Sequence, residues 1–524
     1  MKCQGLWGIL SAALLLAFAP ASAGAVAVQI EGTSRTLEIR GKETGEYFGR
    51  PLLCVDLDSD GYQDIVVGAD RSSFVSPQRP TLYVFKGKRN YASTDLIDLS
   101  SAQPDAVILG DTGSDELATA LAAGDVNKDG FKDLVAADST MAASGRTGAG
   151  IVYVLFGGPS FFSQTVYDLA LNQWSVKILG AVAGDDTGGY LLFGGLQSKG
   201  LACGDINNDG IDDIAVGAHL ADVNSRTDAG KVLVVYGRTP FTPGTTIDLL
   251  SQASSTILGN ETFAELGTAI AIGDLNADGI ADLIMGEDQG SVGSLTTEGK
   301  VFVLWGSSSF PASYNLLSTA ANLTILGGHV WDELGHCVAM ADINGDTKRD
   351  LVVTAPGWDP AGVSSADWGA VYAFLGKTTW PATINLASAS PDLFIAAGDT
   401  TNTIGDTLAV GDFNKDSRAD FMFSARDGER PIFSNEGRTY VVGGRASFPG
   451  TLSLTQGSEQ VEYIVNGATN NLQLGDTIAT GDIDGDGAVE LLLAAPFVNS
   501  STGKLLIFDI TPVPAAAAEW QLYE

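Results

Sequence analysis

Short apolar runs alternate with turn-forming residues along almost the whole chain. Typical runs are Ile-Val-Val-Gly-Ala at 65–69, Leu-Tyr-Val-Phe at 82–85 and Ala-Val-Ile-Leu-Gly at 106–110. Another apolar run precedes each such trio, and it often begins with an aliphatic or aromatic residue followed by glycine, as at Phe48 and Gly49. No segment shows the 3.6-residue periodicity of an amphipathic helix. The pattern therefore predicts units of four short antiparallel strands.

The unit occurs seven times, and its copies start 68 to 80 residues apart. A fixed period indicates a repeat architecture, and four antiparallel strands per repeat describe one blade of a β-propeller. The seventh unit has no fourth strand after Phe508, whereas residues 36–41 match the fourth-strand pattern and precede the first unit. We predict an all-β fold, a seven-bladed β-propeller of four-stranded antiparallel blades that this N-terminal strand closes in blade seven. Closure removes open sheet edges, which invite aggregation.

Each unit also contains one acidic loop of nine residues, directly before its second strand. Side chains with oxygen atoms occupy positions 1, 3, 5 and 9 of every copy, and position 6 is glycine in five copies. Alternating Asp and Asn with a further carboxylate suit Ca²⁺, which takes six to eight oxygen ligands. Glycine allows the positive φ that folds such a loop around an ion. The loops span 56–64, 125–133, 205–213, 274–282, 342–350, 412–420 and 482–490.

We predict up to seven bound Ca²⁺ ions, one in each loop. Turns without metal are the alternative, since Asp, Asn and Gly favour turns, but like charges that converge seven times repel each other unless a cation is present. The predicted ligands are Asp56, Asp58, Asp60, Asp64, Asp125, Asn127, Asp129, Asp133, Asp205, Asn207, Asp209, Asp213, Asp274, Asn276, Asp278, Asp282, Asp342, Asn344, Asp346, Asp350, Asp412, Asn414, Asp416, Asp420, Asp482, Asp484, Asp486 and Glu490.

The fifth and sixth loops are the weakest candidates for calcium. Thr347 and Ser417 replace the glycine of position 6 in these two copies. A β-branched residue at positive φ is an outlier. We therefore expect loop 5 to bind calcium more weakly or to adopt another turn.

The seven repeated units resemble the FG-GAP repeats that form the N-terminal propeller of integrin α subunits. The resemblance covers about residues 36–510 and rests on the Phe48-Gly49 type of start, the acidic loop, the Gly68-Ala69 type of strand end and the third strands. It implies a propeller with calcium loops between the first two strands of each blade, and a role in cell adhesion or recognition. Integrin propellers carry such loops in only some blades, whereas here all seven have one.

The N-terminus has the features of a secretory signal peptide. An apolar core follows Lys2, and the small residues Ala21 and Ala23 precede the expected cleavage site. No other apolar stretch is long enough to span a membrane, so we expect a secreted protein, extracellular or periplasmic. The chain thus divides into a signal peptide at 1–23, a propeller at 24–511 and a C-terminal tail at 512–524.

The net charge limits the possible binding partners, and the positions of the cysteines bear on disulfide bonds. The formal net charge of −34 and a pI near 4.2 argue against nucleic acid and anionic membranes as partners. Cys54, Cys203 and Cys337 lie in non-adjacent units, too far apart to bridge, so we expect free thiols. We also expect a monomer.

No catalytic residue can be named from the sequence. It contains no nucleophile elbow, zinc motif or phosphate loop, and its three histidines are His219, His329 and His336. We therefore predict that the chain is not an enzyme. His329, which shares a loop with Trp331, Asp332 and Glu333, marks a candidate ligand site. Further binding candidates are the aromatic residues between strands, Trp331, Trp358, Trp368, Trp380 and Phe433, unless the tryptophans only cover blade edges.

The propeller topology separates two faces. Loops that join strands two and three share a face with the connections into each first strand, opposite the acidic loops. We predict that this face binds a protein or glycan ligand, because loops on a rigid scaffold commonly carry binding residues. The alternative is an extracellular polysaccharide-active enzyme, a lyase or glycosidase, with a carboxylate pair in a deep central pocket.

Overall fold

The computed structural model describes twelve stretches of the chain: residues 28–31, 36–72, 78–88, 95–111, 117, 119–189, 199–291, 297–360, 367–398, 403–428, 434–454 and 460–510. The predicted signal peptide, the C-terminal tail and Phe433 lie outside these stretches. Among the described residues, no helix is long and apolar enough to cross a membrane.

Seven sheets form the seven blades of a β-propeller, which confirms the predicted fold class. The first strands are Leu52–Val55, Ala120–Gly124, Leu201–Gly204, Ile270–Gly273, Val338–Ala341, Leu408–Gly411 and Thr477–Gly481. The second strands are Asp64–Ser72, Asp133–Asp138, Asp213–Ala218, Asp282–Glu287, Asp350–Ala355, Asp420–Ala425 and Glu490–Ala495. The third strands are Arg79–Phe85, Ile151–Leu155, Lys231–Val235, Lys300–Leu304, Ala370–Phe374, Arg438–Val442 and Lys504–Phe508.

The fourth strands complete the antiparallel part of each blade. They are Ala106–Leu109, Val176–Leu179, Ser255–Leu258, Leu323–Leu326, Leu393–Ala397, Tyr463–Asn466 and, for blade seven, Leu37–Arg40. Leu37–Arg40 pairs antiparallel with the third strand of blade seven, with Leu37 opposite Ile507 and Ile39 opposite Leu505. The predicted closure of the ring by an N-terminal strand is therefore confirmed.

Each blade contains the four predicted antiparallel strands and also a fifth, outer strand. This strand pairs in parallel with the fourth strand, and its segment precedes the fourth strand of the next repeat. The fifth strands are Val166–Asp168, Thr245–Asp248, Ser313–Asn315, Thr383–Asn385, Gly450–Leu454, Val28–Glu31 and Asp95–Asp98, in blades one to seven. Two 3₁₀ turns, Phe161–Ser163 and Leu169–Leu171, and two short helices, Leu249–Gln252 and Val498–Ser501, lie between strands.

Arginine side chains clamp the fifth strand in the first two blades. Arg79 donates to Asp168 at 2.7 Å and to the carbonyl of Gly110, which follows the fourth strand of blade one. Arg146 makes the same pair of contacts in blade two, with Asp248 at 2.9 Å and with the Gly180 carbonyl. Each repeat is thus fixed to its neighbour by backbone pairing and, in these blades, by a bidentate ion pair.

The core consists of apolar side chains packed between neighbouring blades. In blades three and four, for example, Ile257 and Leu283 are fully buried in one cluster. Glycine allows the close approach between blades: a Cβ on Gly286 would lie 2.1 Å from the Gly335 carbonyl oxygen. The three described cysteines are free, as expected.

Candidate functional site

The seven acidic loops all join the first and second strands of their blades, and a common set of hydrogen bonds shapes them. In loop 2, the position-1 carboxylate of Asp125 accepts the backbone N–H groups of Asp129 and Gly130, each at 3.0 Å. The position-5 carboxylate of Asp129 accepts the N–H of Phe131 at 2.9 Å. Backbone donors therefore hold these carboxylates in fixed directions.

The position-9 carboxylate connects the loop to the rest of the blade. Asp133 is buried and accepts the N–H of Val126 in its own loop and that of Gly157 after the third strand, both at 3.0 Å. Burial raises the pKa of this carboxyl to about 7, although both hydrogen bonds lower it. A buried carboxylate at this position favours a nearby cation, because burying an uncompensated charge is costly.

Carboxylate oxygens converge closely in the first and the last acidic loop. In loop 1, carboxylate oxygens of Asp56, Asp58 and Asp64 lie within 4.8 Å of one another, and loop 7 has the same cluster, with Glu490 at position 9. Two ligands of one Ca²⁺ at about 2.4 Å each can be at most about 4.8 Å apart. The other five loops carry an asparagine amide at position 3, which also supplies an oxygen ligand.

Loops 5 and 6 adopt the same turn as the others. Thr347 and Ser417 have φ of +73° and +68°, in the region where Gly61 lies at +91°. The N–H of Thr347 donates to Asp342 at 2.7 Å, as the glycine N–H groups do elsewhere. Of the two expectations for loop 5, the structure therefore does not show another turn, and weaker calcium binding stays a prediction. Hydrogen bonding by the position-1 carboxylate offsets the left-handed strain of about 1–2 kcal/mol.

Loop 1 also contains a cation from the protein itself. The ammonium group of Lys86, at the end of the third strand, contacts Asp58 and lies 3.9 Å from Asp60. Aromatic, aliphatic or small residues, or Asp509, occupy this position in the other blades. Lys86 therefore competes with a metal ion for the loop 1 carboxylates.

The opposite face carries exposed aromatic residues in strained backbone positions. Phe263 and Trp331 occupy equivalent places in the links into blades four and five, with φ of +60° and +69°. Their side chains are 59% and 58% exposed. The equivalent residues of other links, Gly45, Gly184 and Asn471, also have positive φ, so the left-handed conformation belongs to the turn that these links share. The sequence had indicated Trp331 but not Phe263, because the repeat alignment alone does not show exposure.

The other predicted aromatic candidates are less accessible. Trp358 is half-buried against Phe394, with ring centroids 5.2 Å apart, and Trp368 packs on the core between blades five and six. Trp380 lies on the acidic-loop side, where its indole donates to the carbonyl of Leu275 at 3.3 Å. For Trp368 and Trp380, the alternative that they cover blade edges is the better description.

The predicted His329 cluster forms a turn at this face. The carboxylate of Asp332 accepts the N–H groups of Gly328 and His329, at 3.0 and 2.8 Å, and lies 3.6 Å from the His329 ring. Burial raises the pKa of Glu333 to about 7, and the charge of Asp288 adds to this. The same two causes raise the pKa of Glu265, at the equivalent place in the preceding link, to about 7.

A ring of residues at the start of the first strands was missed by sequence reasoning. Each lies six positions before the first Asp of its loop, and that fixed offset was the signal that could have revealed it. The members are Arg50, Thr119, Lys199, Thr268, His336, Asp406 and Asp476. Residues at the ends of second strands complete the network around this ring, as Arg426 and Asp288 show.

Ion pairs connect this ring across blades. Arg50 of blade one donates to Asp476 of blade seven at 2.6 and 2.8 Å. Arg426 of blade six lies 3.9 Å from the same Asp476 and 3.3 Å from Asp406 of its own blade. The His336 ring lies 3.2 Å from Asp288. Burial lowers the pKa of His336, but the hydrogen bond to Asp288 and nearby negative charge outweigh it and raise the pKa to about 10. His219 is buried, which lowers its pKa to about 4.

Fold and loops together define a repeat β-propeller with one acidic loop per blade. Five segments match the FG-GAP repeat family, at residues 117–155, 200–235, 266–304, 337–374 and 474–508. The chain therefore contains five detected FG-GAP repeats, which confirms the resemblance.

Several curated proteins are similar over part of the chain. Phosphatidylinositol-glycan-specific phospholipase D of Rattus norvegicus is 33% identical over 156 residues, 30% of this chain and 18% of that protein. The Homo sapiens protein of the same name is 34% identical over 158 residues, with the same coverage. Integrin alpha-4 of Xenopus laevis is 28% identical over 186 residues, 35% of this chain and 16% of that protein. The chain thus matches less than a fifth of each of these relatives.

Among solved structures, rhamnogalacturonan lyase YesW aligns over 90% of this chain and 91% of its own, at 12% identity and a TM-score of 0.31. The prediction that the chain is not an enzyme is contradicted by these comparisons, because the relatives include proteins named as phospholipases D. That prediction rested on the lack of a linear catalytic motif. In a propeller, functional groups come together from separate blades, as the ring around Asp406 and His336 does, so no linear motif is needed.

On the face opposite the acidic loops, two carboxyl groups share a single lysine, and one of the two is fully buried. Glu287, at the end of the second strand of blade four, is fully buried and lies 3.4 Å from the ammonium of Lys300, which also contacts Glu261. Burial raises the pKa of Glu287 to about 8, although Lys300 lowers it. The folded chain therefore keeps a proton on Glu287 at neutral pH.

We expect Glu287→Gln to change the pH dependence of stability. Between pH 4.5 and 8 the folded wild type holds a proton that the unfolded chain releases, so its free energy of unfolding falls as pH rises, by up to about 1.4 kcal/mol per pH unit. Glutamine cannot titrate. The free energy of unfolding of the variant, relative to wild type, should therefore increase from pH 4.5 to 8 in denaturant titrations. A constant difference across this range would contradict the assignment.

Proposed function

We propose that the chain is a secreted, calcium-binding propeller, monomeric, that recognises a protein or glycan ligand on the face opposite its acidic loops. The observation that carries this proposal is the uneven distribution of exposed apolar side chains. Of eight large exposed apolar residues in the described part of the chain, four lie in links into first strands on this face, namely Val182, Phe263, Val330 and Trp331. Three others, Leu171, Leu250 and Leu317, lie between a fifth strand and the following fourth strand. Clustered exposed apolar side chains are typical of interaction sites.

The face also offers polar groups for specificity. Glu265 and Glu333 follow Phe263 and Trp331 by two residues, and both are in left-handed conformation, with φ of +60° and +57°. Aromatic rings beside carboxyl groups can contact the apolar side of a sugar ring while the carboxyls accept its hydroxyl groups. The same pair can bind amino groups of a protein.

Calcium is the second part of the proposal. Its support is the convergence of oxygen atoms in loops 1 and 7, the buried position-9 carboxylates and the shared backbone geometry of the loops. A bound ion would connect positions 1, 3, 5 and 9, and so would fix the link between the first two strands. The ring would then present the opposite face on a rigid scaffold.

A second candidate function is an extracellular polysaccharide-active enzyme on the same scaffold. It is favoured by Glu333, whose pKa of about 7 suits a general acid or base at neutral pH. Reducing-end release and absorbance of unsaturated products, measured on a polysaccharide panel, test it. Turnover that Glu333→Gln abolishes would support it, and absence of turnover on the whole panel would contradict it.

We expect the purified chain to contain several and up to seven calcium ions after dialysis against trace calcium, as measured by plasma emission spectrometry. Replacing Asp205 and Asp209 of loop 3 by alanine should remove about one ion per chain, because two of its four ligands are lost. Asp222→Ala, an exposed carboxylate on the opposite face, serves as the control and should keep the full number. A wild-type chain with fewer than one ion would refute calcium binding.

We expect the double variant Phe263→Ala/Trp331→Ala to lose at least about tenfold in binding to the glycans or extracellular proteins that wild type binds on arrays. Exposed aromatic anchors commonly contribute about 2 kcal/mol or more each to an interface. Phe131→Ala, in acidic loop 2, removes an aromatic ring from the other face and should bind like wild type. Equal binding by the double variant would place the ligand elsewhere.

A further inference from the structure

A cavity lies on the axis of the ring, apart from the acidic loops and from the exposed aromatic residues of the opposite face. Its volume is about 280 Å³, and the segments that line it come from the first strands of all seven blades. This volume lies near the lower end of the range for ligand pockets, about 300–1,000 Å³. It therefore suits a molecule of the size of one sugar unit.

One lysine reaches into this cavity from blade three. The ammonium of Lys199 donates to the backbone carbonyl of Leu408 in blade six, and both residues line the cavity. An ammonium group has three donors, and among the described residues one hydrogen bond of this group is seen, so two donors can reach another acceptor. Burial lowers the pKa of Lys199, and an anion bound beside it would offset that loss of hydration.

Neutral and acidic oxygen atoms accompany the lysine. Thr477 lines the cavity and is buried, and its hydroxyl has no hydrogen-bond partner within the described residues. Asp406 also lines the cavity, and burial raises its pKa to about 6 although Arg426 lowers it. A buried hydroxyl without a partner is costly, which indicates that a ligand or solvent atom completes its hydrogen bonding.

We propose that the axial cavity binds a small hydroxylated carboxylate, of the size of one sugar acid. Its carboxylate contacts the Lys199 ammonium, and its hydroxyl groups contact Thr477 and Asp406. Leu53, Leu121 and Ile270 form an apolar part of the cavity wall. This part contacts the C–H face of the sugar ring. This proposal is independent of the ligand recognition proposed above for the face opposite the acidic loops. Lys199 lines the axial cavity, whereas Phe263 and Trp331 lie in links between blades.

Calorimetric titration with D-glucuronate, at constant calcium concentration, tests this site, and D-glucose is the neutral comparison. We expect saturable binding of one glucuronate per chain, with glucose at least about tenfold weaker because it lacks the charge-assisted hydrogen bond. Lys199→Met should weaken glucuronate binding by about tenfold or more. Lys128→Met is the matched control, since the Lys128 ammonium also donates to a backbone carbonyl, that of Asp209, but on the acidic-loop face.

Thr477→Val preserves shape and removes only the hydroxyl, so it keeps the test decisive if Lys199→Met does not fold, as judged by circular dichroism. It should weaken glucuronate binding by about 2- to 10-fold. Absence of saturable glucuronate binding to wild type, equal binding of glucose, or unchanged binding in the folded Lys199 and Thr477 variants would each overturn the proposal. Glucuronate binding that persists in the Phe263→Ala/Trp331→Ala variant separates this site from the outer face.

Discussion

The buried carboxylate at position 9 of each acidic loop is the constraint on which the rest of the structure depends. It accepts one N–H from its own loop and, in loops 1 to 6, one from a glycine after the third strand, as Asp133 does from Val126 and Gly157. One group therefore joins the innermost, second and third strands of a blade. Its burial raises its pKa, so the same contact that organises the blade also favours a cation. A buried carboxylate occupies this position in all seven blades.

The two faces of the propeller differ in structure. Hydrogen-bonded loops define one face, while the links into the first strands define the other and carry exposed apolar side chains such as Phe263 and Trp331. The fifth strand joins each blade to the next repeat, and Leu37–Arg40 joins the two ends of the chain in blade seven. A closed set of seven mutually dependent blades can therefore hold strained residues such as Phe263 and Trp331 in place.

The first four strands and the closure of the ring were predictable, because apolar runs and a fixed period record them directly. The fifth strands were not, since segments such as Ser313–Asn315 are short, only partly buried and set by parallel pairing with another repeat. Among the candidate sites, the acidic loops were readable because their ligands are close in sequence. Lys199 and Thr477 were not, because only the ring brings residues from distant repeats to one axis. For Trp380 the sequence was misleading. An aromatic residue between strands suggested a ligand contact, but in the structure Trp380 follows the third strand of blade five and contacts Leu275.

Thermal unfolding of the chain with and without a calcium chelator tests the central claim most directly. Each ion that binds the folded state alone stabilises it by mass action, about 2.7 kcal/mol at a hundredfold excess over its Kd. Calcium-stabilised loops predict a large fall in Tm in excess chelator and full recovery when calcium is restored. An unchanged Tm in excess chelator would contradict the account, and would show that backbone hydrogen bonds and Lys86-type contacts alone hold the acidic loops.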